Sequence, residues 1–283
     1  MTSLVFPAEA QSALAALYPE KHGRITHSLL DHPLLTLEAL VTLAQSLPEA
    51  SVEYNPGNLP IGIDPADVPS PRLSIADTIR SIEDNGSWMV IKRIEQHPDY
   101  AKLLADTLAE IEPLVKVRTG GMLGQEGFIF VSSPGSVTPF HFDPEHNILL
   151  QIRGNKVMTV FPHDDEDIVR PEAHEAFHIG KHHRNQAWHD EFAAKGDAIA
   201  LTAGEAIYVP VKAPHWVKNG PAVSISLSIT WRSEWSYEEA DARGFNRVVR
   251  RAGLKPRRPQ RYPRGNKMKS LAYRVIRRLG LVW

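Results

Sequence analysis

The chain has 283 residues, 42% hydrophobic and 23% charged, ordinary values for a soluble folded protein of one large or two small domains. It has no cysteine, which excludes disulfide scaffolds, thiolate zinc sites and cysteine nucleophiles; with no apolar run near the ~18 residues of a membrane span and no export signal in residues 1–20, a cytoplasmic protein is expected. The net charge of -1 conceals an asymmetry: from Arg243 onward there are 14 Lys and Arg and no Asp or Glu, so an acidic body carries a basic tail.

The first third reads as helical. Thr36 can cap a helix whose apolar positions Leu37, Leu40, Val41 and Ala44 share one face, and Pro48 ends it. Residues 51–73, rich in Pro, Gly and Asp, read as an irregular connection. Ser74 and Asp77 have the spacing of a capping box for a helix with Ile75, Ile79 and Ile82 on one side and Gly86 at its end. Pro98 suits the first turn of a third helix, running to about Glu112.

From residue 127 the period changes to two. Strands are predicted at 127–133, 139–142, 147–153, 156–161, 198–202, 206–210 and 222–231, with a hairpin at Gly154-Asn155. In the last of them Val223, Ile225, Leu227, Ile229 and Trp231 take one face and Ser224, Ser226, Ser228 and Thr230 the other. Such closely spaced strands point to an antiparallel barrel or jelly roll. Beyond it Ser236 and Glu239 suggest another capping box, for a helix running to about Gly253. A Pro/Arg-rich linker (255–265) then leads to a last helix with Met268, Leu271, Ala272, Val275, Ile276 and Leu279 on one face. The expected organisation is a helical region at 1–112, a barrel at 113–235 with an insertion at 162–197, and a basic helical extension at 236–283.

His141 and Asp143 lie two apart on a predicted strand, so both side chains point to one face and can grip one ion. With His215 from another strand they make a set of two imidazoles and one carboxylate. That set leaves about three of six octahedral positions open, as suits Fe(II) that must also bind a cosubstrate and O2. A structural zinc would want four protein ligands. In isolation the His141/Asp143 pair would read as a surface histidine beside a turn. The surroundings decide otherwise: Gly135, His141, Asp143, Asn147 and Gly154 reproduce the spacing of one cupin motif, and Gly204, Pro210, His215 and Asn219 that of a second. Lys212 departs from it by standing where the second motif usually has glycine.

Residues 135–162 and 204–220 together resemble the JmjC-type, cupin-like Fe(II)/2-oxoglutarate dioxygenases, a group that includes the asparaginyl hydroxylase inhibiting hypoxia-inducible factor. The resemblance extends over roughly 75–235. It implies a mainly β protein, a double-stranded β-helix flanked by N- and C-terminal helices, with Fe(II) held by His141, Asp143 and His215. It also implies that Thr138 and Lys156 contact the distal carboxylate of 2-oxoglutarate and that Asn147 lies near the cosubstrate. Physically, a dicarboxylate entering a barrel needs a fixed cation at its far end, because a buried unpaired charge is costly. The implied activity is hydroxylation of a protein side chain or small molecule, with demethylation as the same chemistry on another bond. Two alternatives are a cupin enzyme acting on a small molecule without 2-oxoglutarate, and a non-catalytic sensor that binds nucleic acid through the basic tail.

Other clusters read more simply. His174 and His178, with His182 and His183, could hold a second metal, but no spaced carboxylate joins them, and a polar surface or lid loop is expected. Trp188, Trp216, Trp231 and Trp235 are expected to be packing residues. The acidic run at 164–167 is expected to be a solvated loop. The apolar stripe of the last helix must be covered, since a bare helix of that length is marginal in water. Packing on the chain's own acidic body or in a homodimer is expected ahead of nucleic acid or a membrane surface.

Overall fold

Thr36 does begin a helix: its hydroxyl oxygen accepts from the Ala39 N–H at 3.3 Å, and α2 runs Leu37–Ser46. The computed structural model describes residues 4–58, 60–63, 67, 73–180 and 184–281. Before α2 come α1 (Ala8–Leu17) and β1 (Gly23–Thr26); after it β2 (Val52–Pro56), α3 (Ile75–Arg80), β3 (Ser87–Lys92), α4 (Pro98–Ala109) and α5 (Glu112–Thr119). The barrel strands are β4 (Met122–Ser132), β5 (Val137–His141), β6 (His146–Arg153) and β7 (Asn155–Val160), then, beyond α6 (Pro171–His178), β8 (Asp197–Thr202), β9 (Glu205–Val209), β10 (His215–Asn219) and β11 (Ser224–Ser233). Two helices follow, α7 (Glu234–Arg251) and α8 (Lys267–Arg278).

The strands form two antiparallel sheets in the orders β1-β9-β6-β11-β4-β3-β2 and β5-β10-β7-β8. Leu149, Ile207 and Val209 of the first pack against Met158, Val160, Leu201 and Val217 of the second, which sets the sheets face to face as a double-stranded β-helix. The central strand β11 is buried on both faces. Its Ile225, Leu227, Ile229 and Trp231 turn outward to the helices at 8–119, joining Leu14, Leu40, Ile79, Leu104 and Val115 in the main core. Its hydroxyl face turns into the barrel. The β6–β7 hairpin turns at Gly154, whose φ is +72°; a Cβ there would collide with the Val223 carbonyl, so glycine is required.

Several expectations change. Residues 51–73 are not wholly irregular: β2 lies among them and pairs with β3, which was itself unexpected, and both extend the large sheet at its edge. β1 and β10 also add to the predicted strands. The third helix stops at Ala109 and a separate helix, α5, follows. At α7 the cap is Ser233, whose hydroxyl accepts from the Ser236 N–H while Ser236 reciprocates. Glu239 is therefore no capping residue; it is buried further along the helix.

The acidic run 164–167 is an anchor more than a solvated loop. Asp164 pairs with Arg261, Glu166 with Arg258 at 2.6 Å, and Asp165 with Lys195 at 2.8 Å. The basic linker thus docks on the chain's own acidic surface. Helix α8 does not bury its stripe there. Ser270 and Tyr273 pack against α7, with the Tyr273 ring over Gly244, while Met268, Leu271, Val275 and Leu279 stay 50–88% exposed. Among the described residues no helix is long and apolar enough to cross a membrane.

Candidate metal and cosubstrate site

Adjacent strands carry the two histidines: β10 pairs with β5 so that His215 lies opposite His141. The imidazole Nδ1 of His141 lies 2.7 Å from the Pro139 carbonyl oxygen, and that of His215 lies 2.9 Å from the Ala213 carbonyl. Each Nδ1–H therefore donates to backbone, which leaves Nε2 with a free lone pair. Both Nε2 atoms face Asp143 Oδ2, at 3.8 and 3.7 Å. These three side chains offer ligand atoms all within 4.8 Å of one another, and among the described residues no other group of three or more does so.

Electrostatics keep His141 and Asp143 ready to bind a cation. Burial, reinforced by the neighbouring His215, lowers the His141 pKa to about 4, so its ring is neutral near pH 7. Burial would raise the Asp143 carboxyl, but the Arg184 guanidinium and the two imidazoles outweigh it and hold it below the usual range. Two imidazoles and a carboxylate, with no fourth side-chain ligand in the group among the described residues, suit an octahedral Fe(II) that keeps open positions.

The same cavity, about 90 Å³, is lined by Thr138, Asn147 and Lys156, and by Phe128, Phe130, Leu149, Met158 and Val217. Lys156 is 5% exposed on β7 and has no ion-pair partner among the described residues; burial alone lowers its pKa to about 7. It is therefore shielded from solvent although it follows the β6–β7 turn. Asn147 is held by Ser228, whose hydroxyl donates to its Oδ1 at 2.8 Å. Both Ser228 and Thr230 line the cavity, whereas Ser224 and Ser226 are bound to Gln151 outside it.

Three charged residues at the site were not singled out in the sequence. Arg184 donates to Asp143 Oδ1 at 2.8 Å, and Glu126 and Glu145 line the same cavity. Burial, with Asp143 nearby, lifts the Glu145 carboxyl to about 7. Arg184 lies in the insertion, where no periodicity marks it. Lys212 is different, because its departure from the motif was visible. Its φ is +66°, which explains the usual glycine, and its N–H donates to the Asp143 carbonyl at 2.8 Å. Its ammonium pairs with Glu239, which also accepts from Arg243 at 2.9 Å, so an ion-paired cluster ties the metal loop to α7.

His174 is not on a polar surface or lid. It is 4% exposed on α6, with its ring 4.6 Å from that of Phe142 and α6 packed on α7. Among the described residues neither His174 nor His178 belongs to a group that could hold a metal; His182 and His183 lie outside them. Trp231 is fully buried, and Trp188 and Trp216 join an aromatic cluster with Phe140, Phe161 and Phe192.

The family model for the cupin-like domain matches residues 74–237. Lysine-specific demethylase JMJ30 of Arabidopsis thaliana is 33% identical over 109 residues, 35% of this chain and 24% of that protein. Jumonji C domain-containing protein 5 of Drosophila melanogaster is 28% identical over 106 residues, 34% of this chain and 25% of its own length. The matched stretch thus spans about a quarter of these curated relatives. Among solved structures, ycfD of Escherichia coli superposes with a TM-score of 0.53 at 14% identity, over 96% of this chain and 67% of that one. The Escherichia coli ribosomal oxygenase YcfD in complex with cobalt and 2-oxoglutarate has a TM-score of 0.50 at 14% identity, over 94% and 66%. At that identity the likeness concerns the fold.

Proposed function

The chain belongs to the cupin-like domain family, and from that premise we propose that it is an Fe(II)/2-oxoglutarate-dependent oxygenase, a hydroxylase of a protein side chain or small molecule. The observation that carries the reading is Lys156, a buried amine with no ion-pair partner among the described residues, in the cavity that also holds His141, Asp143 and His215. An isolated buried charge is expensive, and a dicarboxylate supplies what it lacks. A cupin enzyme that makes no use of 2-oxoglutarate would have no such need.

His141, Asp143 and His215 would hold the iron, which when bound supplies O2 activation coupled to oxidative decarboxylation of 2-oxoglutarate to succinate and CO2. The Lys156 ammonium and the Thr138 hydroxyl fix the distal carboxylate. Asn147, itself held by Ser228, adds a polar contact beside the cosubstrate. Phe128, Phe130, Leu149, Met158 and Val217 keep the cavity dry, which strengthens each of those contacts. Iron-loaded protein incubated with 2-oxoglutarate should release succinate; none above a metal-free control would refute the reading.

Lys156→Ala should weaken 2-oxoglutarate binding by roughly 2–5 kcal/mol, the cost of truncating one partner of a buried charge pair. Metal affinity should barely change. Titration calorimetry on the metal-loaded protein checks this, and equal affinities would mean that the cosubstrate is held elsewhere.

The exposed stripe of α8 is best covered by a second copy of the chain. Its four apolar residues lie on the side of the helix away from α7, with Lys267 and Arg278 along one edge, while Arg274 pairs with Asp241 of α7 at 2.7 Å. A nucleic-acid arm has no use for such a stripe, and the acidic body of a partner copy matches the basic edge. Leu271→Glu should therefore convert a dimer into a monomer in light scattering without loss of helix content. A wild-type monomer that binds DNA, RNA or anionic vesicles through α8 would overturn the dimer.

A further inference from the structure

Arg184 reaches the site from a segment that runs alongside β5. The Phe142 N–H donates to the Arg184 carbonyl at 3.3 Å, the Gln186 N–H donates to the Phe140 carbonyl at 3.0 Å, and Asn185 forms a bridge with His141. Backbone contacts at Arg184 and at the two residues after it thus fix where its side chain starts. Its guanidinium takes one oxygen of Asp143, Oδ1, at 2.8 Å, while the other, Oδ2, faces both imidazoles. The two oxygens of one carboxylate are divided between two tasks.

We propose that Arg184 is a positioning residue: by occupying Oδ1 it makes Asp143 a ligand through Oδ2 alone. The proposal rests on the metal reading of the triad. An unrestrained carboxylate can chelate an ion with both oxygens, whereas a charge-assisted N–H···O bond keeps one oxygen out of the coordination sphere. The difference matters for the reaction. Two imidazoles and a one-oxygen carboxylate leave about three octahedral positions, two for a chelating 2-oxo acid and one for O2; a chelating carboxylate would leave about two.

A guanidinium so near a divalent cation is tolerated because acids surround it. Asp143, Glu145, Glu53 and Glu126 all stabilise its charge. Arg184 also repels the metal, so removing it should not abolish metal binding. That distinguishes its role from that of a ligand.

The test uses the whole chain and Mn(II) alone, whose bound water is counted by water-proton relaxation. Arg184→Ala should still bind one Mn(II) at the same site, but relaxivity per bound ion should fall by about a third, as three open positions become two. Arg184→Lys, which keeps a cation beside Oδ1, should retain the wild-type value. Equal relaxivity in the wild type and the alanine variant overturns the proposal while leaving the metal site standing. A lysine variant that behaves like alanine also overturns it. If the wild-type protein binds no Mn(II), the metal reading falls and takes this proposal with it.

Discussion

Asp143→Ala should leave the protein without stoichiometric Fe(II). The carboxylate is the only anionic member of the ligand group, and two imidazoles by themselves are a weak set for a hard, strongly hydrated cation. The fold should survive. Asp143 lines a cavity, and its pair with Arg184 involves a guanidinium 53% exposed, so its contribution to stability is about 1 kcal/mol or less. Metal analysis after loading and desalting checks the main effect, and an unchanged iron content would sink the ligand assignment.

The second large effect is on stability. Glu239→Gln should cost about 3–5 kcal/mol, the range for breaking a buried ion pair from one side. Lys212 and Arg243 both bond Glu239, and the Lys212 and Glu239 side chains are only 6% and 4% exposed, so glutamine leaves cations buried without their counter-charge. Burial alone would raise the Glu239 carboxyl, but the Lys212 and Arg243 charges hold it down to about 2 from an ordinary 4.5. A carboxyl depressed on folding contributes stability that is fully present above pH 4.5 and lost as the pH falls toward 2, on the order of 3 kcal/mol here. Urea denaturation at neutral pH and along an acid series should show the loss, and the variant should lack that part of the acid slope. A variant as stable as the wild type, with the same acid dependence, would show that the cluster contributes nothing net.

The barrel and the grouping of His141, Asp143 and His215 were legible because both are written in short-range patterns. Alternation along residues 222–231 marks a strand, and a two-residue step from His141 to Asp143 puts both on one face whatever surrounds them. Helix caps are equally local, as Thr36 and Ser74 show, although at α7 the register of Ser233, Ser236 and Glu239 slipped by three because several serines and acids fit the same pattern.

Other features depended on what the fold brings together. β2 sits in a Pro/Gly-rich stretch, and it is a strand because β3 supplies its hydrogen bonds, not because its own residues demand it. Arg184 meets Asp143 across 41 residues, through backbone contacts with β5 that no periodicity announces. The Lys212 departure from glycine was visible in the sequence. Its partner Glu239, on a helix beyond the last strand, was not.

By itself, the sequence determined which residues alternate, which helices are capped and which three side chains could share an ion, since each is set within a few residues of backbone geometry. Only the tertiary structure decided which faces are covered. The tail's charge found its acidic partners at Asp164 and Glu166 through Arg261 and Arg258, yet the apolar stripe of α8 remained exposed. A periodic apolar face states that something must pack there, but what does so depends on contacts between distant segments, and pairing through space leaves no period in the chain.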